Sequence, residues 1–136
     1  MRRKLIRGSI ITVGVFLPLL LFFKTNTLFG GDAGDLVTAA YVRGVAHPPG
    51  YPLYTFLAYL LTKLPFSTVA GRVTFLSTIP AIITLPLVFA SMFLLIKREI
   101  VSLIATFSFG FSYLFILLAI IPEVFALHLL FVSLVC

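Results

Sequence analysis

Cysteine is nearly missing from this chain: the single Cys136 stands at its end, which excludes an internal disulfide framework and any multi-cysteine metal site. Charge is scarce too. Only 10% of the residues are charged and four are acidic, while 61% are hydrophobic and the mean hydropathy is +1.21. A soluble domain of 136 residues cannot bury that much apolar surface in one core. Tryptophan is absent, and the 15 phenylalanines sit mostly in the apolar runs. The net charge of +6 does not mark a nucleic-acid partner, because Arg2, Arg3, Lys4 and Arg7 cluster at the N-terminus and the remaining cations are scattered. No small-x-small cleavage site follows the opening MRRKLIR, so the first apolar run reads as a retained signal anchor. No linker, low-complexity tract or internal repeat divides the chain, which predicts one domain.

What is present is a series of apolar segments. About 20 residues, at roughly 1.5 Å each, cross a hydrocarbon core of about 30 Å. Spans are expected over residues 5–24, 73–96 and 100–121, and the start of a fourth over 124–136. The 13 residues of that last run cannot cross, so the sequence reads as an N-terminal fragment cut inside a helix. Pro80 and Pro86 fall inside the second span, where neighbouring helices are expected to satisfy the freed carbonyls. The predicted fold class is therefore all-α, a polytopic transmembrane helix bundle.

Charge bias orients it. The basic N-terminus and the Lys97-Arg98-Glu99 hairpin both belong on the cytoplasmic side, which puts residues 25–72 outside. Within that loop the apolar stretch from Tyr51 to Thr62 is only about 18 Å long as a helix and reads as interfacial. Leu53, Phe56, Leu57, Leu60, Leu61 and Leu64 form its stripe, and Tyr41, Tyr51, Tyr54 and Tyr59 lie in or beside it, at the expected headgroup level.

The unusual residues are concentrated in GGDAGDLVTAAYVRGVAHPPGYPLY. Its first half predicts a short helix with Asp32 as N-cap, Arg43 in the last turn and Gly44 as the C′ terminator. The AHPPGYP run cannot be helical, because its prolines lack donors and hold the backbone extended or turned. Two readings of the Asp32/Asp35 pair stay open: a capping pair that offsets the helix dipole, or a carboxylate acting as general base on an acceptor hydroxyl. His47 is either a structural turn residue or a ligand for a phosphate or sugar hydroxyl. Glu123, after Pro122 at the outer end of the third span, is either a capping acid or a functional one. Arg72, at the outer mouth of the second span, is a lipid-phosphate partner or a snorkelling anchor.

The runs Gly31-Asp32-Ala33-Gly34-Asp35-Leu36 and Gly44-Val45-Ala46-His47-Pro48-Pro49-Gly50-Tyr51-Pro52-Leu53-Tyr54, with Arg72 and Pro122-Glu123-Val124-Phe125-Ala126-Leu127, resemble the signature of the DUF2723 membrane proteins. That group includes the transmembrane protein 260 O-mannosyltransferases. The resemblance covers nearly the whole chain. It implies a GT-C-like glycosyltransferase that moves a hexose such as mannose from a polyprenyl-phosphate donor to an acceptor hydroxyl on a protein or glycan, with inversion. By position Asp32 becomes the base and Asp35 a second catalytic carboxylate, standing where the family usually has glutamate. His47, Tyr51, Arg72 and Glu123 become substrate-binding residues. His128 replaces the family's usual asparagine. No cofactor is implied, the lipid-linked sugar being a co-substrate, and the membrane is a cell membrane in a prokaryote or the ER membrane facing the lumen. A transporter or flippase of lipid-linked sugars, or a non-catalytic scaffold, remains the alternative. A transporter is expected to carry ionisable residues at mid-span, whereas here the spans are clean and the acids sit at the boundary.

Overall fold

The computed structural model describes residues 1–28 and 30–135, so Cys136 lies outside the described residues. Among the described residues the chain is entirely helical: α1 (Arg2–Phe23), α2 (Ala33–Val42), α3 (Pro52–Thr62), α4 (Val69–Ile96), α5 (Glu99–Gly110), α6 (Tyr113–Ile120) and α7 (Phe125–Val135). At about 1.5 Å per residue, α1 is about 33 Å long and α4 about 42 Å, enough to cross a bilayer. The chain is a helical membrane bundle, with these two helices and the α5–α6 pair as its long apolar units.

The run expected as one helix from Ile100 to Ile121 is two, bent by 62° at residues 111–112. Ser112 is extended there, at φ −61° and ψ 139°. A Cβ on Gly110, the last residue of α5, would lie 2.5 Å from Cζ of Phe16 and 3.0 Å from a methyl of Leu85, so only glycine lets α5 approach α1 and α4 this closely. Phe16 and Leu85 are fully buried, and Phe16 meets Phe107 and Phe111 at centroid distances of 5.6 and 4.8 Å.

Helix α4 is the axis on which the other elements pack, and its buried face runs from Ala70 to Phe93. One core joins Phe16 and Leu20 of α1 to Ala81, Ile82 and Leu85 of α4, with Phe115, Ala119 and Ala126 from the later helices. A second core, at the loop end of the bundle, joins Leu36, Val37 and Ala40 of α2 to Tyr54 and Ala58 of α3 and Ala70 and Val73 of α4. Small residues set these contacts. A Cβ on Gly8 would overlap the ring of Phe89, which is fully buried and stacked on Phe93. Gly8→Val should therefore lower the stability of the α1–α4 pair by about 1–3 kcal/mol, read as a lower unfolding temperature in detergent.

At the opposite end from the loop, Arg7 reaches Glu99 with a two-pronged bond, Nε to Oε1 at 2.7 Å and Nη2 to Oε2 at 2.6 Å, which ties α1 to the start of α5. The break between α6 and α7 is held by polar side chains of α4. Thr78 donates to the Ala119 carbonyl at 2.8 Å, Ser77 donates to the Glu123 carbonyl at 2.9 Å, and the Thr25 amide donates to the Ile120 carbonyl at 2.8 Å. Backbone that leaves a helix inside a membrane bundle is tolerated only when its groups are bonded internally, and α4 supplies those bonds.

Candidate active site

Asp32 occupies the N-cap position of α2, yet its side chain makes no capping hydrogen bond and its backbone is already helical, at φ −77° and ψ −10°. Asp32 therefore closes no cap by hydrogen bonding, while it and Asp35 both stand at the positive end of the helix dipole. Helix α2 ends one residue earlier than its sequence suggests. Arg43, not Gly44, takes the left-handed conformation, at φ 58° and ψ 34°, and the Gly44 amide closes the turn on the Ala39 carbonyl at 2.8 Å. Gly44 is small for another reason: a Cβ there would press on Val42 at 3.2 Å.

From Gly44 the chain folds back along α2 and delivers His47 to the start of that helix. One oxygen of Asp35 accepts both the His47 backbone amide and its Nδ1–H, each at 2.8 Å. A carboxylate only accepts, so this contact sets the hydrogen on Nδ1 and turns Nε2 outward. That nitrogen faces Asp32 at 3.4 Å. The turn closes with the Gly50 amide donating to the His47 carbonyl at 2.8 Å. Tyr51 follows in the left-handed region at φ 42°, a costly conformation for a bulky residue, and its ring meets the imidazole edge-on at 5.6 Å. Asp32, Asp35 and His47 are each partly open to solvent, with side chains 58%, 48% and 35% exposed.

Glu123, at the α6–α7 break, makes no bond to the loop carboxylates or His47 but lies near enough for the charges of Asp32 and His47 to act on it. Its backbone is clamped by Ser77, whose hydroxyl donates to the Glu123 carbonyl and accepts from its amide, both at 2.9 Å. Removing that hydroxyl in Ser77→Ala would leave two buried backbone groups unbonded. The expected loss is about 1–3 kcal/mol, measurable by thermal unfolding.

The electrostatics follow from these placements. The His47 amide, and then its ring, hold Asp35 below its ordinary value of 3.8. The hydrogen bond to Asp35 raises His47 above its ordinary 6.5, and the charges of Asp32 and Glu123 reinforce it. Burial raises Glu123, and the charge of Asp32 adds to the rise. Burial also raises the hydroxyl of Tyr54, against an opposing pull from the nearby Ser77 hydroxyl. The stability that His47 lends to the folded loop is fully present below pH 6.5 and is lost as pH rises through its higher folded value. That of Asp35 is present above pH 3.8 and is lost as pH falls through its lower one. Protection of the 44–51 turn from limited proteolysis is therefore expected to be greatest between pH 3.8 and 6.5 and to fall on both sides.

The profile of the Protein O-mannosyl-transferase TMEM260 N-terminal domain matches residues 32–136, a range that holds every acidic and imidazole group of this site. The chain belongs to that family. It is 40% identical over 130 residues to the mouse Protein O-mannosyl-transferase TMEM260, covering 95% of this chain and 18% of the relative. It is 37% identical over 107 residues to the Dictyostelium discoideum Protein O-mannosyl-transferase tmem260, covering 76% and 13%. The chain thus spans less than a fifth of the length of these relatives. No solved structure matches it.

The family's loop run and its later Glu123 segment meet in space, but Arg72 is not brought to them. It binds the carbonyls of Leu64 and Thr68 at the α3–α4 connection. Sequence reasoning missed Tyr54 and Ser77 as neighbours of Glu123. The available signal was the run of hydroxyls Thr74, Ser77 and Thr78 on one face of an otherwise apolar span. Among the described residues no group of three or more His, Cys, Asp or Glu side chains is placed to hold a metal ion. Beside the cluster, an apolar groove of about 370 Å³ runs between α3 and α7, lined by Tyr51, Leu53, Tyr54, Val124, His128 and Phe131.

Proposed function

We propose that this chain carries the catalytic first loop of a GT-C-type glycosyltransferase. The enzyme takes mannose from a polyprenyl-phosphate donor and places it on a hydroxyl of a protein acceptor. One observation carries the reading: in a chain related to proteins named as O-mannosyl-transferases, Asp32 makes no capping hydrogen bond and faces an imidazole that Asp35 holds in place. The clustered cations at the N-terminus support an orientation with that end in the cytoplasm and the loop on the other side of the membrane.

In the reaction Asp32 takes the proton from the acceptor hydroxyl, whose oxygen attacks the anomeric carbon. The bond from that carbon to the phosphate oxygen breaks, and the lipid phosphate leaves with the electron pair from the opposite face, so the configuration inverts. His47, protonated between the two aspartates, supplies positive charge beside the departing phosphate. Tyr51 holds the imidazole edge, and Glu123 borders the sugar. Arg72 joins the donor phosphate only by releasing the Leu64 and Thr68 carbonyls. The apolar groove between α3 and α7 begins at Tyr51 and Val124, the neighbours of the polar cluster, and takes the first isoprene units of the donor. A phosphate is a good leaving group, so positioning and electrostatics carry most of the rate.

The test is donor choice. Membranes containing the complete protein are given either polyprenyl-phosphate mannose or a nucleotide-linked mannose, each radiolabelled, with a protein acceptor. Label moving to the acceptor from the lipid-linked donor alone supports the reading. Transfer from the nucleotide sugar alone would overturn it, as would movement of the lipid across the bilayer without any transfer.

A further inference from the structure

At the opposite end of α2 from its Asp32 N-cap, a second groove of about 610 Å³ lies between α2 and α3. Val45, Pro49, Pro52 and Phe56 give it an apolar floor, and Arg43 and Tyr59 stand at its edge. The ring of Tyr59 gathers two cations. The Arg43 guanidinium lies 4.5 Å from its centroid and donates to its hydroxyl, and the Lys63 ammonium lies 4.8 Å from the same centroid. Holding two like charges at one ring is unfavourable by Coulomb's law unless an anion joins them. Among the described residues, neither is paired with a carboxylate.

The surroundings select the anion. Phe56 and Leu60 of α3, Val42 at the end of α2 and Val45 beyond it are exposed, while Tyr54, Ala58 and Thr62 form the inward stripe of α3. Apolar side chains around a tyrosine and two cations match the headgroup level of a bilayer, with hydrocarbon below and phosphate above. A ligand that satisfies both halves has an anionic phosphate and a hydrocarbon tail. Free phosphate would leave the apolar floor uncovered. The sugar donor in its reacting position is also excluded. Helix α2 separates the backbones of Arg43 and Asp32 by about 16 Å at about 1.5 Å per residue, whereas the donor phosphate must be one bond from the carbon attacked at Asp32.

We infer that Arg43 and Lys63, with Tyr59 between them, form a binding site for the phosphate of an anionic phospholipid of the host bilayer, whose chains lie in the α2–α3 groove. The lipid anchors the α2–α3 pair at the membrane surface, and its binding does not depend on the sugar-transfer reading.

The test uses the complete protein in nanodiscs of equimolar phosphatidylcholine and phosphatidylglycerol, released into a native mass spectrometer. Wild type should retain phosphatidylglycerol in preference to phosphatidylcholine, and Arg43→Gln/Lys63→Gln should reduce that preference roughly tenfold or more, as two surface cations allow. Arg43→Lys/Lys63→Arg keeps both charges and should keep the preference, which separates loss of binding from loss of fold. An equal preference in wild type and the glutamine variant would overturn the proposal, as would no preference in wild type. Displacement of phosphatidylglycerol by an equal amount of polyprenyl phosphate would assign the site to the co-substrate instead and likewise overturn it. Retention by wild type of inorganic phosphate at the same level as the lipid would show that the groove takes no tail.

Discussion

Asp32→Asn is expected to lower sugar transfer by the complete protein by roughly 10²–10⁴-fold, the usual contribution of a positioned general base. The amide matches the carboxylate in size and still accepts a hydrogen bond, but it takes no proton at neutral pH. Because the native side chain makes no capping bond, the substitution removes only exposed charge interactions, with His47 and the helix dipole, and the unfolding temperature should stay near that of wild type. Loss of transfer without loss of stability, measured on purified protein, is the signature expected of a catalytic carboxylate. A parallel loss of both would point to a structural one.

The second large effect concerns Asp35. One of its oxygens binds both the amide and the ring of His47, so Asp35→Ala cuts two bonds that set where the imidazole sits and favour its protonated form. Misplacement of a catalytic group by about 1 Å costs on the order of 10²-fold, and a loss of that size is expected here. The pH profile should change with it. In wild type the hydrogen bond from Asp35 raises His47 above 6.5, so the limb on which transfer falls as His47 loses its proton should lie above pH 6.5. In Asp35→Ala that limb should move to lower pH. A purely structural role for Asp35 would lower the rate and leave the limb where it was. Asp35→Glu restores the charge with one more methylene, and recovery of both rate and limb in that variant would confirm that the carboxylate acts through the histidine.

Much of the architecture was legible from apolar length alone. Uninterrupted runs ending at Arg7, Lys24, Lys97 and Arg98 mark helices whether or not their neighbours are known, because the bilayer imposes the same length on each. The 62° break after Gly110 was not legible. It depends on Phe16 of another helix wedging against a glycine, a contact that the local sequence does not contain. The end of α2 was misjudged for a similar reason. Glycine is the usual left-handed terminator, but here Arg43 adopts that conformation while its side chain is held on Tyr59.

The site was legible as a set of residues and not as an arrangement. Polar groups in an apolar chain stand out, and Asp32, Asp35, His47 and Glu123 were all visible. Their arrangement was not, because the AHPPGY turn is tied back to α2 by the Asp35 bond to the His47 backbone, which spacing does not reveal. The same holds for Glu123, whose backbone is held on α4 by Ser77, a long-range contact that local sequence does not contain.

A double-mutant cycle of Asp32→Asn and His47→Asn tests most directly whether the cluster acts as one catalytic unit, with transfer from polyprenyl-phosphate mannose measured for wild type, both single variants and the pair at matched expression. Groups that share one step lose activity together, so the pair is expected to be about as inactive as Asp32→Asn alone. Transfer by Asp32→Asn at the wild-type rate, or losses that multiply as though the two side chains acted independently, would contradict the account.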